Sequence, residues 1–293
     1  MTWSLSEQIR SASPNDPSCD YCLWPYQRPC EPSPESWQSS ALLYHSFAVA
    51  GVSEKMVRFC KALQATVGPF KTVWGVKHAD GQMSWEFYFY DYTRMERRFS
   101  TADFCDLAKN HMTLDVPVND SQPYFMFSVE VGAAEIDQGV PVTQLDLYLG
   151  NPGSEVSSGI CYGLTKTGME LRNFYFFFDA LKHAHDIREK IVSNAHVPLN
   201  RLNLSDIIWP NMTKAQTIVV ANKRMNDGLY FSRIPVEDLL SFMKRLDFPS
   251  ELQMFAAANA HRFQHVLFDV GYDYDYHPDD GVRYLKGSYY GLL

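Results

Sequence analysis

Tyrosine and acidic residues alternate with large apolar residues in several short stretches of this 293-residue chain. Trp85–Tyr90 reads Trp-Glu-Phe-Tyr-Phe-Tyr, Met126–Glu130 reads Met-Phe-Ser-Val-Glu, and Leu145–Leu149 reads Leu-Asp-Leu-Tyr-Leu. A period of two places successive side chains on opposite faces of a strand, so each stretch has one apolar face and one polar face. Aromatic faces attract cations, carboxylates accept protons, and oxygen ligands bind Mg2+. We therefore expect any chemistry on the face that carries the tyrosines and acids.

The elements that position these faces are strands joined in hairpins. Alternating patterns and Gly-, Asn- or Asp-containing turns predict ten strands in five pairs. The predicted strands are Lys71–Lys77, Ser84–Asp91, Tyr124–Val131, Val142–Leu149, Ile160–Leu164, Leu171–Phe178, Thr217–Ala221, Leu229–Ile234, His265–Tyr272 and Val282–Tyr290. Apolar spacing of three and four predicts helices within Trp37–Val67, where a break is expected near Gly51, and over Ser100–Asn110, His185–Ala195 and Val236–Arg245.

This order of elements predicts an α+β fold, a ten-stranded antiparallel barrel surrounded by helices. Closure is expected because ten antiparallel strands curl, and a closed sheet has no exposed edge. The apolar faces should pack outward on the helices, and the tyrosine and acid faces should line a ligand-binding lumen. The alternative is that the tyrosine rows face solvent. Residues 1–35 form an arm rich in Pro, Ser and Cys, and residues 36–293 form a single barrel domain.

Charge and composition exclude several classes of partner. The chain has 26 Lys and Arg residues against 34 Asp and Glu residues, a formal charge of −8, which disfavours nucleic acid and anionic membranes. Without a membrane-spanning run or a signal peptide, a cytoplasmic location is expected. Cys19, Cys22 and Cys30 have a spacing that could begin a zinc site, but without an evident fourth ligand we interpret them as thiols of a surface loop.

Four segments in this order resemble a known family. They are Thr72-Val-Trp with Gly81-Gln-Met-Ser-Trp-Glu-Phe-Tyr-Phe, then Leu171-Arg-Asn-Phe-Tyr-Phe, Asn226-Asp-Gly-Leu-Tyr-Phe, and Val282-Arg-Tyr-Leu-Lys-Gly-Ser-Tyr-Tyr-Gly. From about residue 40 onward the chain resembles the soluble ABBA-type prenyltransferases, whose fold is the PT barrel. The hairpin motifs resemble the bacterial small-molecule aromatic branch, whereas Leu229-Tyr-Phe and Val236-Glu-Asp-Leu-Leu resemble the cyanobactin peptide branch.

The resemblance implies transfer of an isoprenoid group from dimethylallyl or geranyl diphosphate to a peptide or a small aromatic acceptor. It implies diphosphate binding by Lys286 and Asn173, and Lys286 is expected to share a strand face with Tyr284. Glu86 is the predicted proton acceptor, and together with Asp146 a predicted Mg2+ ligand. Six tyrosines are predicted to shield the allylic cation: Tyr88, Tyr90, Tyr148, Tyr175, Tyr230 and Tyr290.

The chain also departs from the family pattern. Leu145–Leu149 has no basic residue, and Gly228 stands where arginine is common. Lys77, Arg172 and Lys223 are predicted to bind the diphosphate instead. For these three, as for Lys166, Arg224 and Arg233, a surface position is the favoured interpretation. The alternative is that Mg2+, held by acidic residues, bridges them to the diphosphate. The rival class is a barrel of this fold that binds a peptide or an aromatic or cationic molecule without transferring anything.

The end of the chain bears on the acceptor. Leu293 follows directly after the last predicted strand, so no helix is expected to cap that end of the barrel, and an open end would admit a peptide. This argument requires that the Pro-rich arm does not seal the same end. The acidic residues Asp273, Asp275, Asp279 and Asp280 are interpreted as a polar hairpin turn. No Walker loop, Gly-x-Ser-x-Gly elbow, His-Glu-x-x-His pair or Rossmann fingerprint is found in the sequence.

Overall fold

The computed structural model describes residues 3–93, 96–118, 120–151, 157–193 and 196–293, except for the side chains of residues 151 and 213. Ten antiparallel strands form one closed barrel in which each strand pairs with its neighbours in sequence and the first pairs with the last. The strands are β1 (Thr72–Ala79), β2 (Gln82–Tyr90), β3 (Met126–Gly132), β4 (Leu145–Asn151), β5 (Ser157–Thr165), β6 (Gly168–Asp179), β7 (Thr217–Lys223), β8 (Asp227–Ile234), β9 (Phe268–His277) and β10 (Gly281–Leu292). The predicted ten-stranded α+β barrel is confirmed.

Helices cover the outside of the barrel. They are α1 (Ser40–Ala50), α2 (Glu54–Val67), α3 (Thr101–Ala108), α4 (Ala184–Val192), α5 (Leu204–Ile207), α6 (Val236–Arg245) and α7 (Ser250–Ala258). The break between α1 and α2 falls at Gly51, which has a φ of 69°, a left-handed conformation that glycine adopts without strain. The N-terminus of α3 has the capping box that Ser100 and Asp103 predict. The predicted end of the fourth helix, Ala195, lies outside the described residues.

Helix α7 was not predicted, because its sequence carries little helical periodicity. Within α7 only Leu252 and Ala256 are buried, which is too narrow an apolar stripe to stand out from a loop.

The apolar parity of each strand faces the helices. Phe47 of α1 packs on Trp85 with ring centroids 5.1 Å apart, and Phe59 of α2 packs on Phe87 at 5.3 Å. The Trp85 indole N–H donates a hydrogen bond of 2.7 Å to Ser46 Oγ, which satisfies both buried groups. The core therefore lies between the barrel and the helices, and the tyrosine and acid parity lines the lumen. The alternative with solvent-facing tyrosine rows is wrong.

The N-terminal arm closes one end of the barrel. Tyr21 stacks on Tyr290 of β10 at 5.7 Å, and its backbone N–H donates a 2.7 Å hydrogen bond to Asp269 of β9. Asp20 Oδ2 accepts from Nε and Nη2 of Arg233 at 3.1 and 3.0 Å. This is the end at which β10 finishes, so the open end that favoured a peptide acceptor is closed, and that argument is wrong.

The opposite end carries the β-hairpins and is open. In β10 the register shifts between Tyr284 and Lys286. Because of this irregularity Tyr284 packs outside the barrel on Trp209, with ring centroids 5.2 Å apart, while Lys286 faces the lumen. The expectation that Tyr284 and Lys286 share a face is therefore wrong. Among the helices in the described residues, none has the length and apolarity needed to cross a membrane.

Candidate ligand-binding site in the barrel lumen

Five tyrosines, one from each even-numbered strand, form a closed ring across the lumen. We call this ring the tyrosine belt, and its members in order are Tyr88, Tyr148, Tyr175, Tyr230 and Tyr290. Neighbouring ring centroids are 6.0 to 6.5 Å apart around the whole circle. The centre of such a pentagon lies about 5 Å from each centroid, within the ~6 Å over which an aromatic face attracts a cation and near enough for apolar contact.

The hydroxyls of the belt meet polar groups. Tyr88 donates to Glu86 Oε2 at 3.0 Å, and Asn173 Nδ2 donates to the Tyr175 hydroxyl at 2.8 Å. Lys223 Nζ donates to the Tyr230 hydroxyl at 3.1 Å. Burial raises the pKa of Tyr88, Tyr175 and Tyr230 well above the ordinary tyrosine value. These hydroxyls therefore stay protonated at neutral pH and serve as hydrogen-bonding groups.

Two glycines provide the space in which belt rings lie flat on the barrel wall. Gly271 of β9 is the cross-strand partner of Tyr230, and Gly75 of β1 is the partner of Tyr290. A Cβ atom at Gly271 would lie 2.1 Å from Tyr230 Cδ1, and one at Gly75 would lie 2.7 Å from Tyr290 Cε1. Neither glycine was singled out from the sequence, because only the strand register shows which residue faces each tyrosine.

Below the belt lies a small apolar cavity, which we call the aromatic chamber. Its floor is the arm, through Tyr21, Cys22 and Trp24, and its volume is about 60 Å³. At about 10–15 Å³ for each water-sized group, this chamber accepts only some four to six non-hydrogen atoms. Tyr90, predicted to shield a cation, lines this chamber below the belt and donates a hydrogen bond to the backbone oxygen of Tyr21.

Above the belt lies a cavity of about 770 Å³, the polar chamber, which opens between the hairpins. Five basic and six acidic residues line it, so its formal charge is close to balanced. They are Lys77, Arg172, Lys223, Arg224 and Lys286, with Glu86, Glu130, Glu135, Asp146, Glu170 and Asp273. Its volume falls within the ~300–1,000 Å³ of typical small-molecule sites.

The innermost charges of the polar chamber form a cluster of two lysines and one carboxylate. Lys223 Nζ lies 2.6 Å from Asp273 Oδ1, and Lys286 Nζ lies 3.5 Å from Asp273 Oδ2. Burial would raise the pKa of Asp273, but the two lysines outweigh burial and hold it below its usual range. Burial lowers the pKa of Lys223 to about 8 against the opposing effect of Asp273.

The remaining acids of the polar chamber are each held by a donor. Glu130 forms an ion pair with Lys77 and accepts a 2.7 Å hydrogen bond from Ser84. Asp146 accepts a 2.6 Å hydrogen bond from Gln144, and burial raises the pKa of its carboxyl. These arrangements satisfy the polar wall without a ligand.

The structure brings most of the predicted site residues together. Eleven line the polar chamber, namely Lys77, Glu86, Tyr88, Asp146, Tyr148, Arg172, Asn173, Tyr175, Lys223, Tyr230 and Lys286. The expectation of surface positions is wrong for Lys77 and Lys223, whose side chains are largely buried in this chamber. For Arg172 and Arg224, which line the chamber with exposed side chains, the expectation holds. It holds for Lys166, which is exposed and forms an ion pair with Asp115. Arg233 is instead held against the arm by Asp20.

Asp273 lies within β9 and not in the predicted polar hairpin turn. It is buried in the lumen, whereas Asp275 pairs with Arg283 nearer the hairpin, at 2.6 Å. A signal was present in β9, where Asp269, Gly271 and Asp273 alternate with apolar residues. Within the part of the chain that the structure describes, no three His, Cys, Asp or Glu side chains are grouped to hold a metal ion. The Mg2+ prediction for Glu86 and Asp146 remains untested.

The comparisons with known proteins point away from the predicted activity. No family model matches the chain. A putative JmjC domain-containing protein, L887 of Acanthamoeba polyphaga mimivirus, is 21% identical over 304 residues, covering 90% of this chain and 48% of that protein. The chain thus spans about half the length of this relative, whose name does not say which part carries the JmjC domain.

This finding overturns the prediction of a prenyltransferase, and that prediction is wrong. The comparison is compatible with an enzyme of another class and gives no support for prenyl transfer. The lumen offers a physical reason, since Lys77, Lys223, Lys286 and Arg224 are all engaged by carboxylates and a diphosphate would have to displace them. The isoprenoid diphosphates, the acceptors and the individual residue roles came with that activity and are not tested.

Proposed function

We propose that the protein binds a small amphiphilic organic molecule along the barrel axis, with its polar end in the polar chamber and its apolar end inside the tyrosine belt. The observation that carries this proposal is the position of the belt, which separates an apolar chamber next to the arm from a polar chamber between the hairpins on a single axis. A ligand that enters through the open end meets hydrogen-bonding groups first and aromatic faces last.

The size of the chambers defines the ligand. The aromatic chamber and the belt admit one apolar group about the size of a benzene ring, because the cavity below the belt is about 60 Å³. Burying some 100–150 Å² of such a group contributes about 3 kcal/mol at 25 cal/mol per Å². The polar end should be uncharged or carry balanced charge, since four of the five bases of the polar chamber pair with its acids, and the other acids accept hydrogen bonds from neutral donors.

Methionine methyl groups provide reporters at both ends of the site. Met126 lines the aromatic chamber and Met225 lines the polar chamber with an exposed side chain, while Met254 is exposed on α7, outside both chambers. Titration of 13C-methyl-methionine protein with benzyl alcohol should shift the NMR signals of Met126 and Met225 and leave Met254 in place. Equal shifts at all three methionines, or none at millimolar ligand, would refute luminal binding.

A matched pair of variants assigns the effect to the belt. Tyr175→Leu removes one belt ring and should weaken binding, because the ligand loses one aromatic wall. Tyr276→Leu changes a tyrosine that packs against the outer core, and should leave the affinity unchanged. Equal affinities for the two variants would contradict the proposal.

A further inference from the structure

The lumen contains a lysine whose surroundings differ from those of the chain's other lysines. Lys223 is buried, with a side chain only 8% exposed, and its Nζ contacts both oxygens of Asp273 at 2.6 and 2.7 Å. The Asp273 side chain is 5% exposed, also forms an ion pair with Lys286 at 3.5 Å, and accepts a 3.3 Å hydrogen bond from Asn226 Nδ2. One buried carboxylate thus serves two ammonium groups and an amide.

The presence of two lysines and one carboxylate allows Lys223 to lose a proton at a small cost in free energy. In an isolated buried pair, neutralising the lysine strands the carboxylate without a counter-charge, which is strongly unfavourable. Here Asp273 keeps Lys286 and Asn226 when Lys223 becomes neutral. Lys77, by contrast, is an ion-pair partner of Glu130, so its neutralisation would remove that counter-charge.

The two lysines of the cluster have pKa values shifted in opposite directions. Burial lowers the pKa of Lys223 to about 8, Asp273 opposes this, and the nearby charge of Lys286 lowers it further. For Lys286, burial also favours the neutral amine, but Asp273 and then Glu86 outweigh burial and raise its pKa. Around Lys223 the titratable groups are thus Asp273 on β9, Lys286 on β10, Tyr230 on β8, Glu86 on β2 and Cys161 on β5, and of the two lysines of the cluster Lys223 has the lowered pKa.

We propose that Lys223 is a covalent attachment site, whose amine forms a reversible imine with the carbonyl carbon of an aldehyde bound in the lumen. The proposal rests on the proposed function and narrows its ligand to an apolar, preferably aromatic, aldehyde. Lys223 lies at the boundary of the two chambers, since its Nζ is 3.1 Å from the hydroxyl of the belt residue Tyr230 and its side chain lines the polar chamber. A ring held by the belt therefore places its carbonyl group next to the amine.

The reaction balances without an oxidant or a second substrate. The neutral Lys223 nitrogen forms a bond to the carbonyl carbon, and the π electrons of the carbonyl move to its oxygen. The Tyr230 hydroxyl protonates this oxygen and recovers a proton from the nitrogen. The carbinolamine then loses its oxygen as water, together with the second amine hydrogen, and the C=N bond remains.

Reductive trapping tests the assignment. The protein is incubated with benzaldehyde and sodium cyanoborohydride at limiting aldehyde, and peptide mass spectrometry locates the benzyl groups. At pH 7 an amine with a pKa of about 8 is neutral roughly 200 times more often than an ordinary lysine. We expect the label on Lys223 to exceed that on exposed Lys166 at least tenfold, and the yield at Lys223 to rise between pH 7 and pH 9.

The variants Lys223→Arg and Lys166→Arg complete the test, since both keep the positive charge. Lys223→Arg should abolish the preferred label and Lys166→Arg should leave it intact, and mapping of the wild-type protein gives the answer even if Lys223→Arg folds poorly. Labelling spread over surface lysines, or labelling undiminished in Lys223→Arg, overturns the inference. If benzyl alcohol shifts the Met126 signal but benzaldehyde is not trapped, covalent attachment fails while luminal binding stands. If neither occurs, the proposed function fails as well.

Discussion

The close packing of Tyr230 on Gly271 gives a direct test of the tyrosine belt, through the substitution Gly271→Ala. The added Cβ would lie 2.1 Å from Tyr230 Cδ1 and 2.6 Å from Cε1, well inside van der Waals contact. The ring must therefore leave its position in the belt. Gly159 of β5 is a matched control, because a Cβ there would have its nearest neighbours at 3.7 Å, an ordinary contact.

The magnitude follows from two opposing effects. Overpacking of this kind costs about 1–3 kcal/mol, whereas replacing glycine by alanine restricts the unfolded chain and returns about 0.4–1 kcal/mol. We expect Gly271→Ala to lose about 1–2 kcal/mol of unfolding free energy and about 2–3 °C of melting temperature. Gly159→Ala should be neutral or gain about 0.5 kcal/mol, since only the second effect applies.

The assay is urea denaturation followed by tryptophan fluorescence, with near-ultraviolet circular dichroism of the native proteins to report the tyrosine environment. Adding Tyr230→Leu completes a double-mutant cycle, which isolates the contact between the two positions. The penalty of Gly271→Ala should largely disappear in the Tyr230→Leu background. If Gly271→Ala is as stable as Gly159→Ala, or if its penalty persists without the Tyr230 ring, the packing argument is refuted.

Three further predictions concern charges that the fold buries. Asp273→Asn leaves Lys223 and Lys286 without their carboxylate and should lower the free energy of unfolding at pH 7 by about 3–5 kcal/mol, measured by urea denaturation. A loss below about 1 kcal/mol would contradict a buried ion cluster. The lysines hold the pKa of Asp273 below its unfolded value. The ionised Asp273 carboxylate therefore stabilises the fold above the usual pKa range of aspartate, and this stabilisation is lost as pH falls through the folded-state pKa. Acid unfolding should accordingly be less steep in Asp273→Asn than in the wild type. Asp20→Ala removes the acceptor that holds Arg233 and the N–H groups of Cys22 and Trp24. Alkylation of buried Cys22 by iodoacetamide should become about tenfold faster for each 1.4 kcal/mol of lost arm stability. An unchanged alkylation rate would show that Asp20 does not hold the arm in place.

Local patterns in the sequence were sufficient for the barrel and for the orientation of its strands. The run Trp85–Tyr90 alternates so regularly that only one of its faces can be buried against helices, and the structure places Trp85 and Phe87 there. Five such hairpins in succession favour closure, because an open sheet of ten strands would leave two edges unpaired. For the same reason the belt residues could be assigned to the lumen before their partners were known.

The contents of the lumen needed the tertiary structure. Asp273 was interpreted as a turn residue, and Lys223 was expected on the surface, because nothing in their local sequence shows that β7, β9 and β10 bring Lys223, Asp273 and Lys286 together. The sealing of one end by the arm depends on contacts such as that between Tyr21 and Asp269, 248 positions apart. No local pattern encodes such pairs.

Side-chain periodicity is a local property of the chain, since it depends only on the directions of successive Cβ atoms. It therefore determined the strands, the helices α1 to α4 and α6, and the two faces of the barrel wall. Periodicity did not determine the activity, because the same tyrosines and lysines can bind several kinds of ligand. Charge pairing, cavity size and closure of one end decide among those ligands, and each arises from residues far apart in sequence. The tertiary structure alone showed that four of the five basic side chains of the polar chamber are already paired with carboxylates and that the arm lies across one end of the barrel.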